Sequence, residues 1–87
     1  MRFRKKPIIV EAIKFQGIDS VLEMEAQWGM KFIDVAFLDD HDVLSIESLE
    51  GRVRTLVGNW VIKGIRDEFY ICKSDIFEET YEASYEI

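Results

Sequence analysis

The sequence predicts an α+β domain: a small, curved, mostly antiparallel β-sheet of about five to seven strands with one main α-helix at about residues 20–28. Several short runs of β-branched and aromatic residues are each bounded by glycine, aspartate or asparagine. A single stretch has helical apolar spacing. With 87 residues, 48% of them hydrophobic, the chain has enough apolar surface for one core. We therefore expect one domain over residues 1–87.

The first strand is expected within residues 8–15, directly after Pro7, which an edge strand tolerates. Ser20 and Glu23 have the spacing of a capping box, which predicts a helix start. Val21, Met24 and Trp28 then recur on one helical stripe and should be buried. Gly29 is suited to the left-handed residue that ends a helix.

Two hairpins are predicted next. Residues 31–38 and 42–49 are rich in β-formers, and the acidic segment 39–41 between them is typical of a turn. Glu50 and Gly51 fit a two-residue loop, which would place Glu47 opposite Arg54. Residues 60–63 and 68–73 predict two more strands. Ser74 precedes a short helical turn near residues 75–78, and residues 80–82 begin an alternating tail that predicts a last strand.

Charge and cysteine content exclude several classes of protein. The net charge of −6 argues against direct nucleic-acid binding through phosphate contacts. The single Cys72 allows neither an internal disulfide nor a cysteine-based metal site, which favours a reducing cytoplasm. No segment approaches the roughly 18 apolar residues of a membrane span. We expect no membrane association, no metal and no cofactor.

Both ends of the chain carry a recognisable pattern, which covers about half the chain: Lys5-Lys6-Pro7, Val10-Glu11-Ala12, Gly58-Asn59-Trp60-Val61-Ile62-Lys63-Gly64, Glu68-Phe69-Tyr70, Cys72-Lys73, Asp75-Ile76-Phe77 and Tyr81-Glu82. This pattern resembles that of a family of small proteins of tailed bacteriophages and prophages. The chain departs from the pattern at Asn59, where the family has Asp, and at Asp67, where it has Gly. The resemblance implies a phage or prophage origin and action in the bacterial host cytoplasm, but no reaction.

One candidate ligand site lies in this matching segment. Lys63 and Tyr70, with Trp60 and an acidic partner in Glu11, are residues that would bind an anionic or planar ligand by charge and stacking. The alternative is structural: Trp60 fills the core, and Lys63 extends outward over a half-buried Tyr70.

The acidic residues suggest a second candidate site, a surface for a basic partner protein. Its candidate residues are Asp39, Asp40, Asp42, Glu78, Glu79 and Glu82. Such a surface would imitate nucleic-acid phosphate and capture a basic host protein. The alternative is a charged surface that serves solubility alone.

No pattern in the sequence indicates catalysis. His41 lies among carboxylates in a predicted turn, where neighbouring side chains diverge rather than converge on an ion. Cys72 has no histidine near it in the sequence and is expected to be a structural thiol. The absence of such patterns favours a non-enzymatic protein, and the resemblance implies a phage or prophage accessory protein. We expect it to bind a host or phage protein by its acidic surface or a sheet edge, with a homodimer through such an edge as another outcome. The alternatives are an anionic-ligand or nucleotide-binding module and a minor phage structural or assembly component.

Overall fold

Two three-stranded antiparallel sheets and a main helix share one apolar core in the computed structural model, which describes residues 1–4 and 6–84. The predicted α+β class is confirmed, with six strands in the described residues. The strands divide between two sheets, ordered β1-β5-β6 and β2-β3-β4. The elements are β1 Glu11–Lys14, α1 Ile18–Trp28, β2 Ile33–Leu38, β3 His41–Ser48, β4 Gly51–Leu56, β5 Trp60–Lys63, β6 Phe69–Cys72 and α2 Ser74–Thr80.

Helix α1 begins two residues before the predicted capping position. The hydroxyl of Ser20 donates to the carbonyl of Gly17 at 2.6 Å and accepts the N–H of Gln16 at 2.9 Å. Ser20 therefore closes the turn that leads into the helix, and the predicted capping box is wrong because Ser20 lies inside the first helical turn. At the other end Gly29 adopts the left-handed conformation and donates to the carbonyl of Glu25 at 3.0 Å, as predicted.

The two hairpins of the second sheet differ in their loops. Asp39 and Asp40 both have positive φ, 48° and 64°, so β2 and β3 are joined by a type I′ turn, which matches the twist of the strands. In the β3–β4 hairpin, Glu47 lies opposite Arg52 rather than Arg54, so the predicted register is wrong. The loop consists of residues 49 and 50, one residue earlier than the predicted loop. Gly51, directly after the loop, has the positive φ, 96°.

The core lies between the two sheets and α1. Its fully buried side chains come from all three: Phe15, Met24, Leu44, Ile46 and Val61. Strand β5 is buried on both faces, since its neighbouring residues Val61 and Ile62 are both 0% exposed. Val61 belongs to the shared core, and Ile62 faces the opposite side of the sheet.

Helix α2 packs on that opposite side. The ring of Phe77 stacks on Trp60 of β5, and the amide oxygen of Asn59 accepts the N–H of Ser74 at 3.1 Å. The helical turn predicted near residues 75–78 is thus present and longer. The strand predicted from residue 80 is absent among residues 80–84: Thr80 is the last residue of α2, and Tyr81, whose backbone is extended, caps the helix by donating its N–H to the carbonyl of Phe77 at 2.9 Å. The rest of that predicted tail, residues 85–87, lies outside the described residues, as does Lys5. None of the described helices is long and apolar enough to cross a membrane.

Candidate functional site

Lys63 and Glu11, two of the four predicted ligand-binding residues, are cross-strand neighbours. They face each other in the β1–β5 pair, with Lys63 Nζ 3.7 Å from Glu11 Oε2. Lys63 Nζ is also 3.5 Å from Asp67 Oδ1. The lysine side chain is 25% exposed, so its charge lies in a partly desolvated position between two carboxylates. The predicted acidic partner is correctly placed, but the pair of carboxylates offsets the charge that would attract an anion.

A groove of about 480 Å³ opens beside Lys63. Trp28 and Phe69 form an aromatic wall, with ring centroids 5.5 Å apart. The indole N–H of Trp28 is buried and has no hydrogen-bond partner within the described residues. The rest of the lining comes from the segment after α1, from the β3–β4 hairpin and from the β5–β6 turn: Gly29, Met30, Lys31, Phe32, Glu47, Ser48, Leu49, Asp67 and Glu68. The groove therefore combines aromatic and charged surface, with acids in the majority.

The other two predicted ligand residues, Tyr70 and Trp60, lie on the opposite face of the sheet. Lys63 pairs with Phe69, and Tyr70 pairs with Ile62. Because directly paired residues share a face, Lys63 and Tyr70 point to opposite sides, and the expectation that they are neighbours is wrong. The structure therefore does not assemble Trp60, Lys63, Tyr70 and Glu11 into one site.

Trp60 and Tyr70 instead contribute to the packing of α2. Trp60 stacks on Phe77 with 4.1 Å between ring centroids, and Phe77 stacks on Tyr81 at 5.0 Å. Burial and a hydrogen bond to Tyr81 raise the pKa of the Tyr70 phenol to about 12. Tyr70 is thus a neutral hydrogen-bonding group at physiological pH. Trp60 is half-buried outside the core cluster, and Tyr70 is 37% exposed, so these two aromatic residues pack against α2 and do not fill the core.

The six predicted acidic residues lie on two separate elements. Asp39 and Asp40 form the exposed β2–β3 loop, and Asp42 follows in β3, half-buried. Glu78 and Glu79 are exposed on α2, and Glu82 is exposed just beyond it. The acidic surface is therefore divided between a hairpin loop and a helix.

Sequence reasoning did not identify an apolar surface on the outer face of the second sheet. Register places Ala36, Val43 and Leu56 in one cross-strand row, and Leu38 follows two residues after Ala36 on the same face. Leu38 is 46% exposed and Leu56 is 52% exposed. We call these four residues the outer-face patch. Alternation within the strands is visible in the sequence, but only the register aligns the four side chains.

Residues 1–4 and 6–84 contain no group of three or more His, Cys, Asp or Glu side chains that could hold a metal ion. Comparison of the chain with protein-family models, curated proteins and solved structures gives no match.

Proposed function

We propose that the chain is a non-enzymatic phage or prophage accessory protein that acts in the bacterial host cytoplasm by binding a partner protein. The observation that carries the proposal is the outer-face patch next to the acidic β2–β3 loop. Leu38 of the patch is directly followed by Asp39 and Asp40, so exposed apolar surface adjoins two exposed carboxylates. An apolar centre with a polar rim is the usual anatomy of a protein interface. The partner surface would be apolar with a basic edge.

Charge and apolar contact have separable roles in this proposal. Exposed carboxylates accelerate encounter with a basic partner and are screened by salt. Burial of Leu38 and Leu56 would supply affinity, at about 25 cal/mol per Å² of apolar area removed from water, less the cost of association. Sheet edges offer a further contact, either to the partner or to a second copy.

The test is capture of proteins from host lysate by the tagged chain and its variants at low and moderate salt. Leu38→Lys with Leu56→Lys should abolish specific capture. The matched control is Ile76→Lys, because Ile76 is 50% exposed on α2, away from the outer face. Asp39→Asn with Asp40→Asn keeps residues that tolerate positive φ and should weaken capture mainly at low salt. Capture that survives the leucine changes and is lost with Ile76→Lys would contradict the proposal.

The groove beside Lys63 supports a second candidate, binding of a small anionic ligand such as a nucleotide. Its aromatic wall offers stacking surface, although Glu11 and Asp67 offset the lysine charge. A nucleotide panel in a thermal-unfolding assay tests it, because a saturating ligand at 100 times its Kd stabilises by about 2.7 kcal/mol. A stabilisation lost in Lys63→Ala but kept in Lys6→Ala, an exposed lysine outside the groove, would support this candidate. No shift with any nucleotide would contradict it.

A further inference from the structure

The edge of β2 differs from the other sheet edges. Among residues 1–4 and 6–84, the edge strands are β1 and β6 in one sheet and β2 and β4 in the other. β2 and β4 are six residues long, and β1 and β6 are four. Edge strands are normally protected from pairing by charge, proline, bulges or short length. β4 carries Arg52 and Arg54, whereas β2 carries a single charge, Asp34, and pairs with β3 without a bulge.

Apolar side chains on β2 are also left uncovered. Phe37 is 69% exposed and Leu38 is 46% exposed, on opposite faces of the strand. Every second residue of an edge strand directs its N–H and C=O away from its one partner strand. The β2 edge therefore combines unpaired backbone groups with apolar side chains above and below.

We propose that β2 pairs with β2 of a second copy of this chain, antiparallel, about a two-fold axis at Val35, to form a continuous six-stranded sheet. A two-fold axis perpendicular to the sheet keeps the outer faces of both copies on the same side. Directly paired residues share a face, and side chains alternate along a strand, so paired residues must differ by an even number of positions. The axis therefore passes through a residue and not between two residues. An axis at Asp34 would set two like charges directly opposite each other, which is destabilising.

An axis at Val35 avoids that repulsion and sets an apolar side chain beside each large apolar side chain that β2 exposes, while the outer face of the sheet stays open. It places Phe37 opposite Ile33 of the second copy and Leu38 opposite Phe32 of the second copy. Asp34 then lies opposite Ala36 of the second copy, and this contact occurs twice by symmetry. The interface is isologous and closed, so association stops at the dimer. A single strand edge is small for an interface, which predicts a weak dimer.

Ala36 gives a test that depends on this register. It is exposed on the outer face, so a longer side chain there does not enter the core. Ala36→Asp would set a carboxylate opposite Asp34 of the second copy, and Ala36→Lys would set an ammonium there. A cross-strand charge pair contributes roughly 0.2–1 kcal/mol, and symmetry makes two such pairs in each dimer. Ala36→Asp should therefore raise the dimer dissociation constant, and Ala36→Lys should lower it, by about 2-fold to about 30-fold.

The measurement is sedimentation equilibrium of the full chain from about 10 µM to about 1 mM, a range suited to a weak dimer. Unfolding curves of both variants confirm that they are folded. A monomer at every concentration overturns the proposal, as does growth beyond a dimer. If both variants weaken the dimer equally the Val35 axis is wrong, and if neither changes it β2 is not the interface. The inference does not depend on capture of a partner protein, which the lysate experiment tests by itself.

Discussion

Trp60 of β5 and Phe77 of α2 lie ring on ring, with centroids 4.1 Å apart and planes inclined by 11°. Helix α2 has no fully buried residue. Its attachment to the first sheet therefore depends on this stack, on Tyr81, which extends it, and on the hydrogen bond from Ser74 to Asn59. Since Trp60 lies on the face of β5 that points away from the shared core, loss of these contacts would expose that face at Trp60.

Phe77→Ala should lower the free energy of unfolding by about 1–3 kcal/mol. The ring is half-buried, so the cost is below that of a core phenylalanine, and it includes about 0.5–1.5 kcal/mol for the stacking contact. Urea unfolding followed by far-UV circular dichroism measures it. Ile76→Ala is the control in the same helix, where a 50% exposed side chain should change stability by about 0.5 kcal/mol or less. Equal costs for the two variants would show that the stack does not attach α2.

Asn59 connects β4, β5 and α2 through hydrogen bonds of its side chain. Substitutions of Asn59 should show whether stability depends on these hydrogen bonds or on the charge of the side chain. Its Nδ2 donates to Thr55 Oγ1 at 2.8 Å, and its Oδ1 accepts the N–H of Ser74. Asn59→Ala should cost about 1–3 kcal/mol because both bonds are lost in a partly buried position. Asn59→Asp should cost much less, since a carboxylate accepts from Ser74 and the hydroxyl of Thr55 can donate to it. Equal losses in urea unfolding would contradict this account.

The raised pKa of Tyr70 predicts that the protein loses stability in strong alkali. Burial first, then the hydrogen bond to Tyr81, raises its pKa to about 12. An unfolded tyrosine has a pKa of about 10, so between about pH 10 and about pH 12 the unfolded state has lost this proton while the folded state keeps it. The free energy of unfolding therefore falls as pH rises through this window. Below about pH 10, Tyr70 is protonated in both states, and its titration contributes nothing to the pH dependence of that free energy.

Phenolate absorbance measures this directly. One tyrosine should titrate late in the wild type, and Tyr81→Phe should lower the pKa of Tyr70 by removing the hydrogen bond. A single titration at about pH 10 for all tyrosines would contradict the prediction.

Local patterns in the sequence predicted most of the elements, because each depends on residues close in the chain. The spacing of Val21, Met24 and Trp28 identified α1, and Gly29 marked its end. Asp67, which stands where the resembled pattern has Gly, adopts a positive φ of 61°. The pairing of Glu47 was predicted wrongly because the turn depends on Gly51 and on the Ser48 hydroxyl, which donates to the Gly51 carbonyl at 2.8 Å. Composition alone does not locate that bond.

The candidate site was harder to predict because it depends on which residues lie opposite one another in different strands. Trp60 and Lys63 lie on opposite faces of β5, and the partner of Lys63 in β6 is set by the turn between the strands. That turn places Phe69, not Tyr70, beside Lys63. The outer-face patch could not be predicted for the same reason. Its members come from three strands, and only the register between those strands places them side by side.

The β5–β6 turn itself gives a prediction about Gly64. Its backbone N–H donates to the Glu68 carbonyl at 2.8 Å, and the Glu68 carboxylate folds back to accept the N–H of Arg66 at 2.9 Å. A Cβ at position 64 would collide with that carboxylate. Gly64→Ala should therefore displace the Glu68 side chain and cost about 0.5–1.5 kcal/mol through the lost hydrogen bond.

The collision is with the end of a flexible side chain, so the cost should vanish when that side chain is removed. In a Glu68→Ala background, Gly64→Ala should be neutral or stabilising by up to about 1 kcal/mol, because φ at Gly64 is not positive and alanine restricts the unfolded chain. In a Glu68→Gln background, which keeps the side-chain length, the cost should remain. A double-mutant cycle by urea unfolding measures the coupling. If Gly64→Ala costs the same free energy of unfolding in the Glu68→Ala background as in the wild type, the backbone conformation requires glycine at position 64 and the Glu68 side chain does not.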